Sequence, residues 1–221
     1  MKLKDKIIVV TGGANGIGFA LCKRFVREKA KVVLSDKNES MALERAGEIG
    51  ATAISADVCK EKEIKNLISV TNDLHGRIDV FVSGAGYREK GGAESTARKW
   101  KQTFNTNLMA HVYAAKFVLP QMLERGSGHL LNVVSAVPFD VQSAPFTASE
   151  YAAIGFSQWL DAKYSESGIR VHLLLSTYLN NQNEFSEAEE ITDFAIKSIA
   201  GERILKLTDQ EWLHFFKPNH L

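Results

Sequence analysis

Two cysteines in 221 residues, Cys22 and Cys59, are too few for a disulfide framework or a cysteine-based metal centre. Reduced thiols, a cytoplasmic setting and no metal are therefore expected. Prolines number only four, so no Pro-rich linker divides the chain, and neither repeats nor low-complexity tracts occur. No apolar run approaches the ~18 residues a membrane span requires. The charged opening Met1-Lys2-Leu3-Lys4-Asp5-Lys6 leads straight into a strand pattern, unlike the apolar core of a signal peptide. Neither sign of charge dominates: 27 Lys and Arg against 26 Asp and Glu leave +1, with no long block of either sign. Nucleic acid and membrane surfaces are thus not expected partners.

What is present is apolar and regularly spaced. With 45% hydrophobic residues the chain can bury a sizeable core, and one domain spanning residues 1–221 is expected. Ile7-Ile8-Val9-Val10 runs into Thr11-Gly12-Gly13-Ala14-Asn15-Gly16-Ile17-Gly18, and Phe19 to Val26 follows with apolar residues at helical spacing. This reads as strand, tight turn and helix. Gly12, Gly16 and Gly18 would let the backbone approach a pyrophosphate, which the N–H groups and dipole of the following helix favour. Lys31 to Ser35 reads as a second strand ending at Asp36, where a carboxylate would accept hydrogen bonds from an adenine-ribose diol.

Strands and helices alternate thereafter. A helix is expected over Glu39 to Ile49, a short strand over Ala51 to Asp57, a helix over Glu61 to Leu74 and a strand over Ile78 to Ser83. A long helix over about Ala97 to Arg125 is followed by a strand over His129 to Ser135. A helix over about Phe146 to Ser167 and a strand over Arg170 to Ser176 come next. Near-continuous apolar strands separated by helices imply a doubly wound α/β domain of Rossmann type. Its sheet would be predominantly parallel, with the ligand at the carboxyl ends of the strands. The tail offers a helix over about Ile191 to Ile199, a strand-like Arg203 to Leu207 and an aromatic Glu211 to Phe216.

The motif Thr-Gly-x-x-x-Gly-Ile-Gly at 11–18 resembles the cofactor motif of the short-chain dehydrogenases/reductases. Asp57-Val58 is similar to that family's pair at the adenine ring, Ser83-Gly84-Ala85-Gly86 to its Asn-Asn-Ala-Gly, and Asn107 to its active-site Asn. The resemblance runs from about residue 3 to about 181; the part from about 182 is divergent and short. It implies a dinucleotide site at Gly12, Ala14, Asn15, Gly16, Ile17, Gly18, Asp36, Asp57, Val58, Gly84, Ala85 and Gly86. NAD is expected over NADP because Asp36 would repel a 2′-phosphate.

The resemblance also implies a catalytic Ser, Tyr and Lys, and here the chain departs from it. Ser135 matches the Ser, although a strand-end hydroxyl satisfied by nearby backbone is an equal reading. Phe146-Thr147-Ala148-Ser149-Glu150 aligns with Tyr-x-Ala-Ser-Lys and puts Phe146 in the Tyr position and Glu150 in the Lys position. Phenylalanine has no proton to give, and a carboxylate would raise a neighbouring phenol's pKa where an ammonium lowers it. Tyr151 lies ~100° around the helix from Glu150 and should not substitute. Tyr87 and Tyr178 are better placed to line the cleft, without an evident Lys partner. The family's Pro-Gly-x-x-x-Thr is replaced by Ser176-Thr177-Tyr178-Leu179-Asn180-Asn181.

Two functional readings follow. In one, the chain binds a dinucleotide and acts as a non-catalytic or catalytically divergent binding or sensing protein. In the other, it is an NAD-dependent oxidoreductase on an unidentified carbonyl or alcohol, with an atypical proton donor such as Glu150. Family helices that commonly pair subunits carry Phe104, Met109, Val112, Tyr113 and Phe117, and Phe156, Trp159, Leu160 and Tyr164, so a homodimer or homotetramer is expected.

Overall fold

Branched apolar residues give strands that cannot expose either face, and β1 (Ile7–Thr11) is buried along its whole length. Ile7 and Val9 point to one side of the sheet, Ile8 and Val10 to the other. The computed structural model describes residues 2–135 and 140–176, and from the following segment residues 192, 193, 195–197 and 199. The remaining strands are β2 (Lys31–Ser35), β3 (Thr52–Ala53), β4 (Val80–Ser83), β5 (Gly128–Ser135) and β6 (Ile169–Ser176). All pair in parallel, in the order β3-β2-β1-β4-β5-β6.

Helices α1 (Gly16–Arg27) and α2 (Glu39–Ile49) cover the face that Ile8 and Val10 enter. Ala195 and Ile199, from the helical residues after 191, complete that apolar layer. The opposite layer gathers residues of α3 (Glu61–His75), α5 (Ala110–Arg125) and α6 (Ala144–Tyr164) around Val9, Phe81 and Leu130. This is the doubly wound sheet that the alternating pattern implies.

Several boundaries differ from the sequence expectation. The third strand keeps only Thr52–Ala53 of the expected Ala51 to Asp57. Ile54 and Ala56 still donate to the Leu34 and Asp36 carbonyls at 3.1 and 3.2 Å, but this outermost strand has no neighbour to hold it flat. The fourth strand begins at Val80, two residues later than expected. The long helix divides into α4 (Ala97–Phe104), a π turn over Asn105–Met109, and α5. Thr103 and Thr106 donate back to the carbonyls of Lys99 and Gln102 at 2.9 and 3.0 Å, a pattern that loosens helical bonding. Helix α6 starts at Ala144, where Ser143 Oγ accepts from the Phe146 amide at 3.3 Å, and it ends in a 3₁₀ turn at Ser165–Ser167. Tyr178, the rewritten segment through Asn181, the strand-like Arg203 to Leu207 and the aromatic Glu211 to Phe216 lie outside the described residues.

Candidate functional site

The site follows from strand lengths. Thr11 of β1, Ser35 of β2 and Ser83 of β4 end level in register, whereas β5 continues three residues beyond Asn132, the partner of Ser83. At ~3.3 Å per residue, Ser135 stands ~10 Å above the floor that β1 and β4 define. The crevice opens where chain direction across the sheet reverses, beside β1. It encloses about 620 Å³.

Its first end is made by backbone. A Cβ on Gly18 would meet the Gly12 carbonyl oxygen at 2.1 Å, and one on Gly12 (φ 66°) would meet the Ala85 backbone at 2.8 Å. The first turn is therefore packed directly on the Gly84–Gly86 turn, as Thr11 Oγ1 donating to the Val82 carbonyl at 3.2 Å also requires. Helices α2, α4 and α6 are capped by Asn38, Thr96 and Ser143, and α3 carries Glu61 and Glu63 in its first turn. Helix α1 has neither a side-chain cap nor a first-turn acid, and Asn15 to Gly18 face the cleft. An uncompensated helix N-terminus over a glycine floor suits an anion such as a pyrophosphate. Asp36, Asp57 and Val58 line the same end. Asp57 Oδ1 accepts from the Cys59 amide at 3.0 Å, and Asp36 Oδ1 from the Asn38 amide at 3.1 Å. Ala14 does not line the cleft; it is wholly buried in the layer under α1, because the turn directs its methyl inward.

The second end is made by side chains. Phe146 and Glu150, one turn apart on α6, are 3% and 6% exposed, and both line the cleft with Ser135. Glu150 Oε2 accepts from the Ser135 amide at 2.5 Å. Burial pushes this carboxyl up to about 7, with the Ser135 amide opposing the shift. The Asn107 side chain is committed to structure. Its Oδ1 accepts from the Tyr87 amide at 2.8 Å, and its Nδ2 donates to the Tyr87 carbonyl at 2.9 Å and to Ser149 Oγ at 3.0 Å.

Tyr87 lines the cleft, yet its hydroxyl donates to Glu89 Oε2 at 2.6 Å, which raises the phenol's pKa. Tyr151 lies off the cleft lining, as its helical angle requires, and burial raises its pKa as well. Neither phenol has been made more acidic. Arg88 and His111 also line the cleft, and neither was expected there. Arg88 sits 6.0 Å from the Phe146 ring centroid, and its Nε donates to Asp140 Oδ2 at 2.6 Å, which holds Asp140 below its usual range. His111 is buried on α5 with Nδ1 unpartnered, and burial pushes it down to about 4, so the ring is neutral. The helical spacing of Asn107 and His111 was the available signal for the latter; the Arg88–Asp140 pair joins two loops and had none. Among the described residues no cluster of three or more His, Cys, Asp or Glu is placed to hold a metal, and no helix is long and apolar enough to cross a membrane. Cys22 and Cys59 are free thiols.

Comparison with known proteins gives a consistent picture. Residues 6–190 match the family model described as short chain dehydrogenase. An uncharacterized oxidoreductase of Staphylococcus saprophyticus is 32% identical over 181 residues, 77% of each chain. The 1-deoxy-11-beta-hydroxypentalenate dehydrogenase of Streptomyces exfoliatus is 35% identical over 185 residues, 79% of this chain and 67% of that protein. The crystal structure of gox2181 superimposes with a TM-score of 0.76 at 25% identity, covering 79% of this chain and 72% of that one.

Proposed function

The chain belongs to the short chain dehydrogenase family, and from that premise we propose that it binds a nicotinamide dinucleotide without running the family's Tyr–Lys chemistry, acting as a binding or sensing protein. The residues at the first end of the cleft fit the dinucleotide: a glycine floor with no room for a methyl group at Gly12 or Gly18, and a helix N-terminus left without cap or acid. Gly12, Gly16 and Gly18 would bed the pyrophosphate, Asp36 the adenine ribose, and Asp57, Val58 and Gly84 to Gly86 the flanking surfaces. NAD is favoured over NADP, since Asp36 would repel a 2′-phosphate and Lys37 only partly offsets it.

One observation carries the rest. The α6 face turned toward Ser135 presents a benzene ring at Phe146 and a buried carboxyl at Glu150, where proton transfer to a carbonyl needs an acidic phenol and a nearby cation. A bound nicotinamide supplies hydride; among the described residues, the α6 face turned toward Ser135 carries no phenol to match it with a proton. Fluorescence titration of NADH and NADPH, with turnover of a panel of carbonyls in parallel, tests this. The expected result is binding with background turnover. NADPH binding more tightly than NADH would remove Asp36 from the role given to it.

A second reading rests on the same carboxyl. With its pKa raised to about 7, Glu150 is half protonated at neutrality and adjoins Ser135, so it is a candidate acid/base in an active oxidoreductase. Wild-type turnover abolished by Glu150→Gln would favour it. Self-association is also proposed: Phe156, Trp159 and Tyr164 form an aromatic row on α6, with Trp159 54% exposed. Sedimentation at micromolar concentration should show a dimer or tetramer, and a species of ~25 kDa alone would exclude it.

A further inference from the structure

The order of strands assigns directions along the cleft. A dinucleotide with its pyrophosphate over the N-terminus of α1 and its adenine ribose at Asp36, the end of β2, must lay its second nucleoside over β4 and β5. That is the end closed by Ser135 and Glu150. The second nucleoside carries the nicotinamide ring, cationic when oxidised and neutral when reduced. Resting on the dinucleotide reading above, we infer that Glu150 makes this cleft discriminate the redox state of its ligand, holding the oxidised dinucleotide more tightly than the reduced one.

The other charges at this end do not supply or cancel such a preference. Arg88 is neutralised by Asp140, against which its Nε lies at 2.6 Å, and His111 is uncharged. On α4, Lys99 pairs with Glu89 at 2.8 Å, and Arg98 and Lys101 share that helix. On α6 itself Asp161 and Lys163 lie about three turns beyond Glu150, and Tyr151 is a weakened acid. His129 on β5, and Arg170 and His172 on β6, lie four to six residues below Ser135 in register, ~13–20 Å along the strands. Burial pushes the two histidines to about 4 and about 3, so both are neutral at physiological pH. Glu150, pushed up to about 7, changes charge between pH 6 and pH 8.5.

Discrimination should therefore be weak when Glu150 is protonated and strong when it is ionised. By reciprocity the cationic ring should in turn draw the proton off Glu150. An ionised Glu150 in the lining of the cleft would favour a cationic ring over a neutral one there by roughly tenfold.

The test measures dissociation constants of NAD⁺, NADH and ADP-ribose at pH 6.0 and 8.5, for wild type and Glu150→Gln, by calorimetry in two buffers of different ionisation enthalpy. In the wild type the ratio of NADH to NAD⁺ dissociation constants should rise about tenfold between the two pH values. ADP-ribose affinity should stay flat, and NAD⁺ but not NADH should release a proton near pH 7. In Glu150→Gln, whose amide oxygen still accepts from Ser135, the ratio should be flat. Should that variant fail to fold, the wild-type pH series and proton release decide alone. A wild-type ratio independent of pH, or a pH dependence shared by ADP-ribose, overturns the inference and leaves the dinucleotide reading standing. Binding of none of the three ligands overturns both.

Discussion

Over β1 and β2 the cleft is walled by backbone, and over β5 and α6 by side chains. At the first end Gly18 and Gly12 admit no Cβ, and a substitution must move main chain. At the second end Phe146, Glu150, Asn107 and Arg88 are held by hydrogen bonds and packing that a new side chain can replace. A backbone-built site tolerates almost no sequence change without losing its shape. A side-chain-built site can change chemistry while the fold stays the same. The difference explains how a rigid glycine floor at one end of the cleft coexists with a buried carboxyl at the other.

The largest test of this contrast is restoration. Phe146→Tyr with Glu150→Lys should raise carbonyl reduction by NADH about 10²–10⁴-fold over wild type, within the range a positioned proton donor contributes. Phe146→Tyr alone should remain near background, because Glu150 keeps the new phenol a weak acid; the pair should be strongly non-additive. Robust wild-type turnover that persists in both Glu150→Gln and Tyr151→Phe would show that another residue transfers the proton, and the non-catalytic reading would fall.

The next test is at the backbone end. Gly18→Ala puts a methyl 2.1 Å from the Gly12 carbonyl oxygen and should cost ~1–3 kcal/mol of stability. It should also weaken dinucleotide binding more than ~100-fold, through loss of the close approach. Gly86→Ala meets nothing within 4 Å and should change stability by less than ~0.5 kcal/mol. Equal stability losses in urea denaturation would mean that close packing does not define this end.

Third, Glu150 couples stability to pH. Its carboxyl moves from 4.5 to about 7 on folding, so the folded state holds the proton more tightly than the unfolded chain. Its contribution is complete below pH ~4.5 and is lost as pH rises through ~7. Relative to wild type, Glu150→Gln should gain up to about 3 kcal/mol between pH 4.5 and 8, measured by urea denaturation at each pH. A pH-independent difference would place the carboxyl in water. The smallest expected effect is at Asp36: Asp36→Asn should narrow the preference for NADH over NADPH by about tenfold in competition titrations.

Legibility in the sequence followed the same division. The strand–turn–helix around Gly12 to Gly18 and the alternation of elements were readable because steric and periodic constraints act locally. The parallel character of the sheet then followed from the fold rules, while the strand order came from the structure. Phe146 and Glu150 were readable only as departures from a family pattern. Arg88 against Asp140 was not readable, since the pair joins loops 52 residues apart. The π turn at Asn105–Met109 was hidden because its apolar spacing is that of any helix, and the inward direction of the Ala14 methyl was hidden because a turn motif does not say which way a side chain points.

The apolar layer that starts at Leu3 and Ile8 is completed by Ala195 and Ile199. The two parts of this layer are thus nearly 190 residues apart in the chain, and β1 is not fully covered on this face until the segment around Ala195 is made. At ~5–20 residues per second the interval is roughly 10–40 s. Closing this face is therefore a long-range event in the chain, unlike the local packing of α1 and α2 on β1 and β2.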